Sequence, residues 1–221
     1  DHSVYAYLDH RINSRWKAHA QVAYFNFNME ANSTWLSYMK ANGDMPRYWS
    51  ISGEQGENRF GQFSFTGEER TGSIRHRILM GADFGNKKFW GDFPTIKSEL
   101  YFPDSVLFNV YNPRYGLPAN QIPVADRSVS IYTRAASGNY ISVNTYASAF
   151  VHDEMSFFKE KLRLSLGLRF TDIKTVGKTG TADQKHEVFS PRVGLSYSIH
   201  PSLTVYALFD QTFVPAPGTD F

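Results

Sequence analysis

Leu162-Arg163-Leu164-Ser165-Leu166-Gly167-Leu168-Arg169-Phe170 alternates without a fault, with five apolar side chains on one face and Arg, Ser, Gly and Arg on the other. Successive residues of a strand point to opposite faces, so this segment meets something oily on one side and something wet on the other. A soluble sandwich would give that pattern, and so would a transmembrane barrel with lipid outside and a polar lumen inside. Slipping the register by one residue would turn Arg163 and Arg169 toward the apolar side. In a bilayer each would cost up to about 2–4 kcal/mol at the midplane, so only one register is tenable there.

Seven further segments read as strands: Val4–Ile12, Trp16–Asn28, Asn58–Glu68, Ile74–Phe84, Ser142–Glu154, Arg192–Ile199 and Leu203–Phe213, with the first strand extended to Leu162–Asp172. Ile78, Met80, Ala82 and Phe84 oppose Arg75, Arg77 and Asp83, and Val193, Leu195, Tyr197 and Ile199 share one face. Most of these segments are longer than the ~5–6 residues usual in soluble sheets and suit a tilted membrane strand of ~9–11 residues. Short turns at Asn13-Ser14-Arg15, Glu69–Ser73, Phe157–Lys161 and His200-Pro201-Ser202 alternate strictly with long loops at Met29–Glu57, Gly85–Ile141, Ile173–Glu187 and from Val214 onward. Outer-membrane barrels keep short periplasmic turns and longer extracellular loops, and that order assigns a side to every hairpin. Val129–Thr133, followed by Ala-Ser-Gly-Asn, would upset the order as a spanning strand, and is expected in an extracellular loop hairpin instead.

Composition leaves membrane barrel and soluble β protein about even, but excludes other classes. Aromatics reach 16%, yet mean hydropathy is −0.40. Rings at the membrane interfaces with polar residues in lumen and loops give that combination, although an aromatic-rich soluble β protein would too. No run of about 18 apolar residues occurs, so a transmembrane helix is not expected. Without Cys, disulfides, thiol catalysis and Cys-ligated zinc are excluded. Lys+Arg 23 against Asp+Glu 21 argues against nucleic-acid binding. No charged-then-apolar leader is visible, so the chain reads as mature, processed or a fragment.

Several stretches resemble TonB-dependent outer-membrane siderophore receptors of the ferrichrome-receptor type. Phe189-Ser190-Pro191-Arg192-Val193-Gly194-Leu195-Ser196-Tyr197 is similar to the family's F-S-P-R-x-G-L-x-Y strand. Leu203-Thr204-Val205-Tyr206-Ala207, running on to Gln211-Thr212-Phe213-Val214-Pro215, resembles the strand after it. Phe150-Val151-His152-Asp153-Glu154 corresponds to Y-x-Q-D-Q with His152 in place of Gln, and Gly167-Leu168-Arg169-Phe170 to G-x-R-Y/F. His76–Phe84 resembles H-x-x-L-x-G-x-D-Y, and Phe108–Gly116 the loop F-N-P-x-Y-G. Each motif is short, but they fall in the family's order over Ile74–Pro215, whereas the N-terminal third matches only in pattern.

The resemblance implies an all-β transmembrane antiparallel barrel, of which residues 1–221 would be a partial domain: about eight strands of a barrel of about 22, with the plug and the C-terminal strands absent. An independent eight-stranded barrel is the arithmetic alternative. It fares poorly, since Pro215-Ala216-Pro217-Gly218-Thr219-Asp220-Phe221 reads as a loop. The implied function is import of a ferric siderophore across the bacterial outer membrane, energised by TonB through the plug. A passive porin or small structural barrel is the runner-up, and a soluble carbohydrate-binding β-sandwich a third reading.

Trp35, Tyr48, Trp49 and Trp90 lie in the long loops, beyond the interface girdles that account for Trp16 and Tyr24. They are the candidate ligand-binding aromatics, because rings give large contact area at low entropy cost; packing within the loops is the plainer role. Arg75, Arg77, Arg163, Arg169 and Arg192 are expected to pair with acidic residues of neighbouring strands or plug, or to guide an anionic chelate. Gly177-Lys178-Thr179 lacks the first Gly of a P-loop, position 172 being Asp, and reads as a turn. The seven His show no ligand-like spacing and no G-x-S-x-G occurs, so no metal, no cofactor and no catalytic residue is expected. Loop charges are mixed (Lys40, Arg47, Lys87, Lys88 and Lys97 against Asp44, Glu54, Asp92, Glu99 and Asp104), so they assign no ligand.

Overall fold

In the computed structural model, residues 1–93, 100–101, 107–115, 126–138, 140–177 and 183–213 are described. The expected loop from Val214 onward and the Lys178-Thr179 turn lie outside them, as do Lys97, Glu99 and Asp104. The strands are β1 His2–Arg11, β2 Trp16–Leu36, β3 Asp44–Met45, β4 Arg47–Thr71, β5 Ile74–Asp92, β6 Leu100–Tyr101, β7 Phe108–Asn109, β8 Ile141–Phe157, β9 Leu162–Val176, β10 Gln184–His200 and β11 Leu203–Asp210, with one helix, α1, at Ile131–Gly138. Eight strands form one sheet in the order β1-β2-β4-β5-β8-β9-β10-β11; β6 pairs with β4, and β3 with β7. All eight expected strands are present, and chain neighbours among them are sheet neighbours.

Four strands run well past their expected ends. β10 has 17 residues and begins at Gln184 instead of Arg192, and β9 runs to Val176, so both ends of the expected loop Ile173–Glu187 are strand. β2, β4 and β5 have 21, 25 and 19 residues, so much of Met29–Glu57 and the start of Gly85–Ile141 is strand rather than loop. Alternation marks a strand only while one face is apolar. Beyond the hydrocarbon both faces meet polar surroundings or packed side chains, and the period-two signal fades while the hydrogen-bonded ladder continues.

Val129–Thr133 is not a hairpin; residues 131–138 are α1. Ser130 caps it, its backbone carbonyl accepting from Arg134 N at 3.0 Å and its Oγ from Thr133 N at 3.4 Å. Ala135 and Ala136 favour helix, and Gly138 closes it.

The short turns have local causes. Asn13 Oδ1 accepts from the backbone N–H of Arg15 at 2.8 Å and of Trp16 at 2.9 Å, closing the β1–β2 turn. Gly72 takes φ +62° between β4 and β5, and Phe158, Lys159 and Glu160 all have positive φ between β8 and β9. Past the first turn Trp16 lies flat on Gly67, where a Cβ would come within 2.4 Å of the indole. Its Nε1 donates to Glu69 Oε1 at 2.8 Å, an amphipathic placement suited to a membrane interface.

The β8–β9 and β9–β10 registers place Leu164 opposite Met155 and Leu195, Leu166 opposite Asp153 and Val193, and Leu168 opposite Val151 and Pro191. This outward series is apolar except for Asp153. The alternate face carries Arg163, Ser165, Gly167 and Arg169 beside Ser156, Glu154, His152 and Phe150. The chain groups into two compact units, residues 2–25, 57–88 and 142–221 in one, residues 1, 26–56 and 89–141 in the other.

Candidate functional site

In the unit built on residues 2–25, 57–88 and 142–221, the polar face is an ion-paired wall. Arg169 clamps Asp83 through Nη1 at 2.9 Å and Nη2 at 2.7 Å, and donates to Ser148 Oγ at 2.8 Å and Thr171 Oγ1 at 3.2 Å. Arg75 bridges Glu68 at 2.7 Å and Glu160 at 2.6 Å; Arg77 bonds Glu154 at 2.9 Å, and Arg163 reaches Glu160 at 3.3 Å. His19 pairs with Asp9, Gln21 Nε2 donates to Gln62 Oε1 at 3.0 Å, and His152 Nε2 lies 2.7 Å from Ser165 Oγ. Four of the five expected arginines are thus paired within the sheet and its turns, while Arg192 makes no ion pair among the described residues. Beside the Arg169–Asp83 clamp a hollow of 520 Å³ is lined by Tyr5, Tyr7, Gln21, Phe60, Gln62 and Tyr146, among others. Such a wall is satisfied without strong net charge and suits a wet, filled lumen.

The other unit holds the candidate ligand aromatics. Here α1 is tied down by charge: Arg134 Nη1 donates to Asp92 Oδ2 at 2.8 Å, and its Nη2 lies 3.4 Å from Glu30 Oε1. Arg127 Nε approaches Glu30 Oε2 at 3.2 Å. The helix sits close on β4, since a Cβ at Gly53 would be 3.1 Å from Ile131 Cδ1. Trp90 meets Tyr132 of α1 edge-on at 4.9 Å, so this indole packs the helix down. Tyr48 and Trp49 are consecutive on β4, where their backbones pair with Tyr101 and Leu100; as strand neighbours they point to opposite faces. Trp35, near the end of β2, is 56% exposed, as open as a contact residue needs to be. The four aromatics therefore do not form one wall: one packs a helix, two diverge, and one stands free.

A second pair of short strands organises the same unit. Asp44 of β3 faces Asn109 of β7. Its carboxylate accepts from Asn109 Nδ2 at 2.7 Å and Asn42 Nδ2 at 2.6 Å, and these bonds hold it below the usual carboxylate range. Asn109 Oδ1 in turn accepts from Tyr111 N at 2.8 Å and Asn112 N at 3.1 Å, so Asn109 holds the backbone at the start of the Asn112-Pro113-Arg114-Tyr115-Gly116 motif. Arg47 is only 5% exposed, and burial pulls its guanidinium below the ordinary arginine value. The charged cluster Glu30–Asp92–Arg127–Arg134 was not singled out from sequence; Ser130 followed by Ala135-Ala136 and Gly138 is the signal that announces its helix. Among the described residues no cluster of three or more His, Asp or Glu has the geometry to hold a metal.

Long antiparallel strands, an apolar face backed by an ion-paired polar one, and short turns alternating with long connections together define the wall of a transmembrane β-barrel. The family comparison names the kind: residues 1–221 match the TonB dependent receptor-like β-barrel family throughout, and the chain belongs to it. TonB-dependent receptors are bacterial outer-membrane proteins. Among curated proteins the chain is 24% identical to the metal-pseudopaline receptor CntO of Pseudomonas aeruginosa, over 99% of the chain and 30% of that protein. It is 21% identical to the ferrioxamine B receptor of Salmonella typhimurium, over 96% of the chain and 28% of that protein. The chain thus spans under a third of the curated relatives it matches. In structure it resembles BauA, the ferric preacinetobactin receptor of Acinetobacter baumannii, with a TM-score of 0.72 at 19% identity, over 93% of this chain and 29% of that one.

Proposed function

We propose that this chain is the middle of the barrel of an outer-membrane receptor that imports a ferric siderophore, energised by TonB. The observation that carries the reading is the family match along the whole chain. It is supported by relatives named for metal-pseudopaline, ferrioxamine B and ferric preacinetobactin, each of them a metal chelate or chelator. In this reading residues 1–221 form part of a barrel of about 22 strands. A plug elsewhere in the protein fills the lumen and receives the pull from the inner membrane. The barrel supplies scaffold and part of the binding surface, and none of the described residues is assigned a catalytic role.

Of the proposed ligand contacts, Trp35 is supported by its exposure and Trp90 acts through the seating of α1. Tyr48 and Trp49 present one ring to each face of β4, so only one of them faces a given ligand.

Cells carrying the full-length receptor should accumulate radio-iron from one member of a panel of hydroxamate, catecholate and mixed siderophores. Collapse of the proton-motive force should stop that uptake while surface binding persists. Uptake that continues without the proton-motive force would replace this reading with a passive porin.

A further inference from the structure

One acid and one base stand on the lipid-facing side of this wall. The outward series of β5 runs Ile74, His76, Ile78, Met80, Ala82, Phe84, and that of β8 runs Ala147, Ala149, Val151, Asp153, Met155, Phe157. His76 Nδ1 lies 2.7 Å from Asp153 Oδ2, with the side chains 17% and 26% exposed. Their remaining polar atoms, His76 Nε2 and Asp153 Oδ1, are shielded and have no hydrogen-bond partner. Ionisable side chains on a hydrocarbon-facing surface are rare because no water is there to solvate them, and they persist for a purpose.

The purpose follows from what alternation cannot specify. A slip of one residue exposes the polar face to lipid, whereas a slip of two puts every apolar residue back on the apolar face. Where strands are joined by a tight turn, the turn excludes that second error. β8–β9 and β10–β11 are joined in this way by residues 158–161 and 201–202. β5 and β8 are not: residues 93–140 separate them, so no turn fixes how they meet.

Their contacts fit one antiparallel register. Arg77 bonds Glu154, Asn86 Nδ2 donates to Thr145 Oγ1 at 2.7 Å, Phe150 lies over Gly81 and Tyr146 over Gly85, which sets Ala82 opposite Ala149. His76 and Asp153 then meet diagonally: a slip of Ala82 toward Ala147 would set them directly opposite, and a slip toward Val151 would part them. Breaking Arg77–Glu154 on the wet face is cheap, because water replaces the partner. Breaking His76–Asp153 strands two polar groups in hydrocarbon.

We propose that the His76–Asp153 pair pins the β5–β8 seam against the two-residue slip that parts its two side chains, an error to which the apolar pattern is blind. Each stranded partner stands about 5–10 Å from the periplasmic end rather than at the midplane, and biases the register by up to about tenfold. Buried ionic groups that select register rather than add stability are the best-attested use of such pairs.

Since residues 1–221 contain no Cys, engineered cysteines report the register. In the full-length receptor in its outer membrane, A82C with A149C reads the native register, and A82C with V151C reads the slip that parts the pair. With His76 and Asp153 intact, oxidation should link the first combination and not the second. In H76L/D153L the 82–151 link should rise about tenfold above background. The exchanged pair, H76D/D153H, should return it to background. A double-leucine receptor with no 82–151 link would overturn the proposal. If H76L/D153L fails to assemble, the exchanged pair decides alone: an 82–149 link without 82–151 supports the pin, and an 82–151 link refutes it.

Discussion

Leu168→Arg tests the assigned face most severely, and the structure ranks it against two neighbours. Leu168 stands outward between Val151 and Pro191, with no polar group opposite. Six residues into β9, at ~3.3 Å per residue and a tilt of ~40°, it lies about 15 Å from the periplasmic end of the strand, and Leu166 about 10 Å. The two straddle the middle of an apolar band about 25 Å tall. An arginine there costs about 2–4 kcal/mol, and up to about 1.5–3 kcal/mol of leucine transfer is lost with it. That is a large part of the ~5–15 kcal/mol by which a folded domain is stable. Leu166→Arg should do less harm, because position 166 faces Asp153, whose Oδ1 has no partner and can accept the guanidinium. Ser165→Arg points into the lumen and forfeits only the His152 contact, about 1 kcal/mol. Folded receptor in the outer-membrane fraction, read by heat-modifiable gel mobility, should fall in the order Ser165→Arg, Leu166→Arg, Leu168→Arg. Equal yields for Ser165→Arg and Leu168→Arg would refute the face assignment. Equal loss for the two leucine variants would refute the access to Asp153.

Arg134→Ala removes both ties of α1 to Asp92 and Glu30, at a cost of about 1–3 kcal/mol for a largely buried charged bond. Limited proteolysis of whole cells should then cut near residues 126–138 several-fold faster, and an unchanged rate would remove the charge latch. Trp35→Ala should weaken chelate binding about tenfold or more at unchanged receptor level, by the scale of an exposed aromatic anchor; binding titrations that do not move would strike Trp35 from the site. Trp90→Ala should instead raise protease sensitivity at α1, and a loss of affinity without that change would reassign it to direct contact. Asp44, held below the usual carboxylate range by Asn109 and Asn42, stabilises the β3–β7 pair at and above the ordinary Asp range. That contribution is lost as pH falls through its lowered value. Hydrogen exchange at Val110, whose N–H bonds Gly43 O at 3.0 Å, should quicken on acidification in the native protein and show little such change in Asp44→Asn.

The spanning strands were legible because lipid enforces an alternation that nothing else on the chain resembles. Leu162–Phe170 needs no alignment to be read, and its faces in the structure are those its pattern demands. Legibility ends where the hydrocarbon does. Tyr48 and Trp49 read as loop residues because β4 there has no apolar face to declare itself, and their separation to opposite faces follows only once the ladder is seen. Trp90 looked like Trp35 in sequence, yet one packs a helix edge-on and the other stands open. Composition cannot separate those roles. A helix capped by Ser130 settles the first, and a strand end with no cover settles the second.

The same physics explains why the pattern leaves a gap that ion pairs must fill. Alternation carries one bit per residue, inside or outside, and is silent on which apolar residue meets which. Turn chemistry supplies the missing position where it can, as Asn13 does for Trp16 and Gly72 does between β4 and β5. No tight turn joins β5 directly to β8, and the seam carries polar bonds on both faces: Arg77–Glu154 inward and His76–Asp153 outward. The inward bond is exchangeable with water and the outward one is not, so only the outward bond penalises strongly the misregister that parts its two groups. A barrel that folds from separate hairpins needs such position-specific polar contacts at the joins its turns do not govern. The lipid face, where they cost most to break, is where they discriminate best.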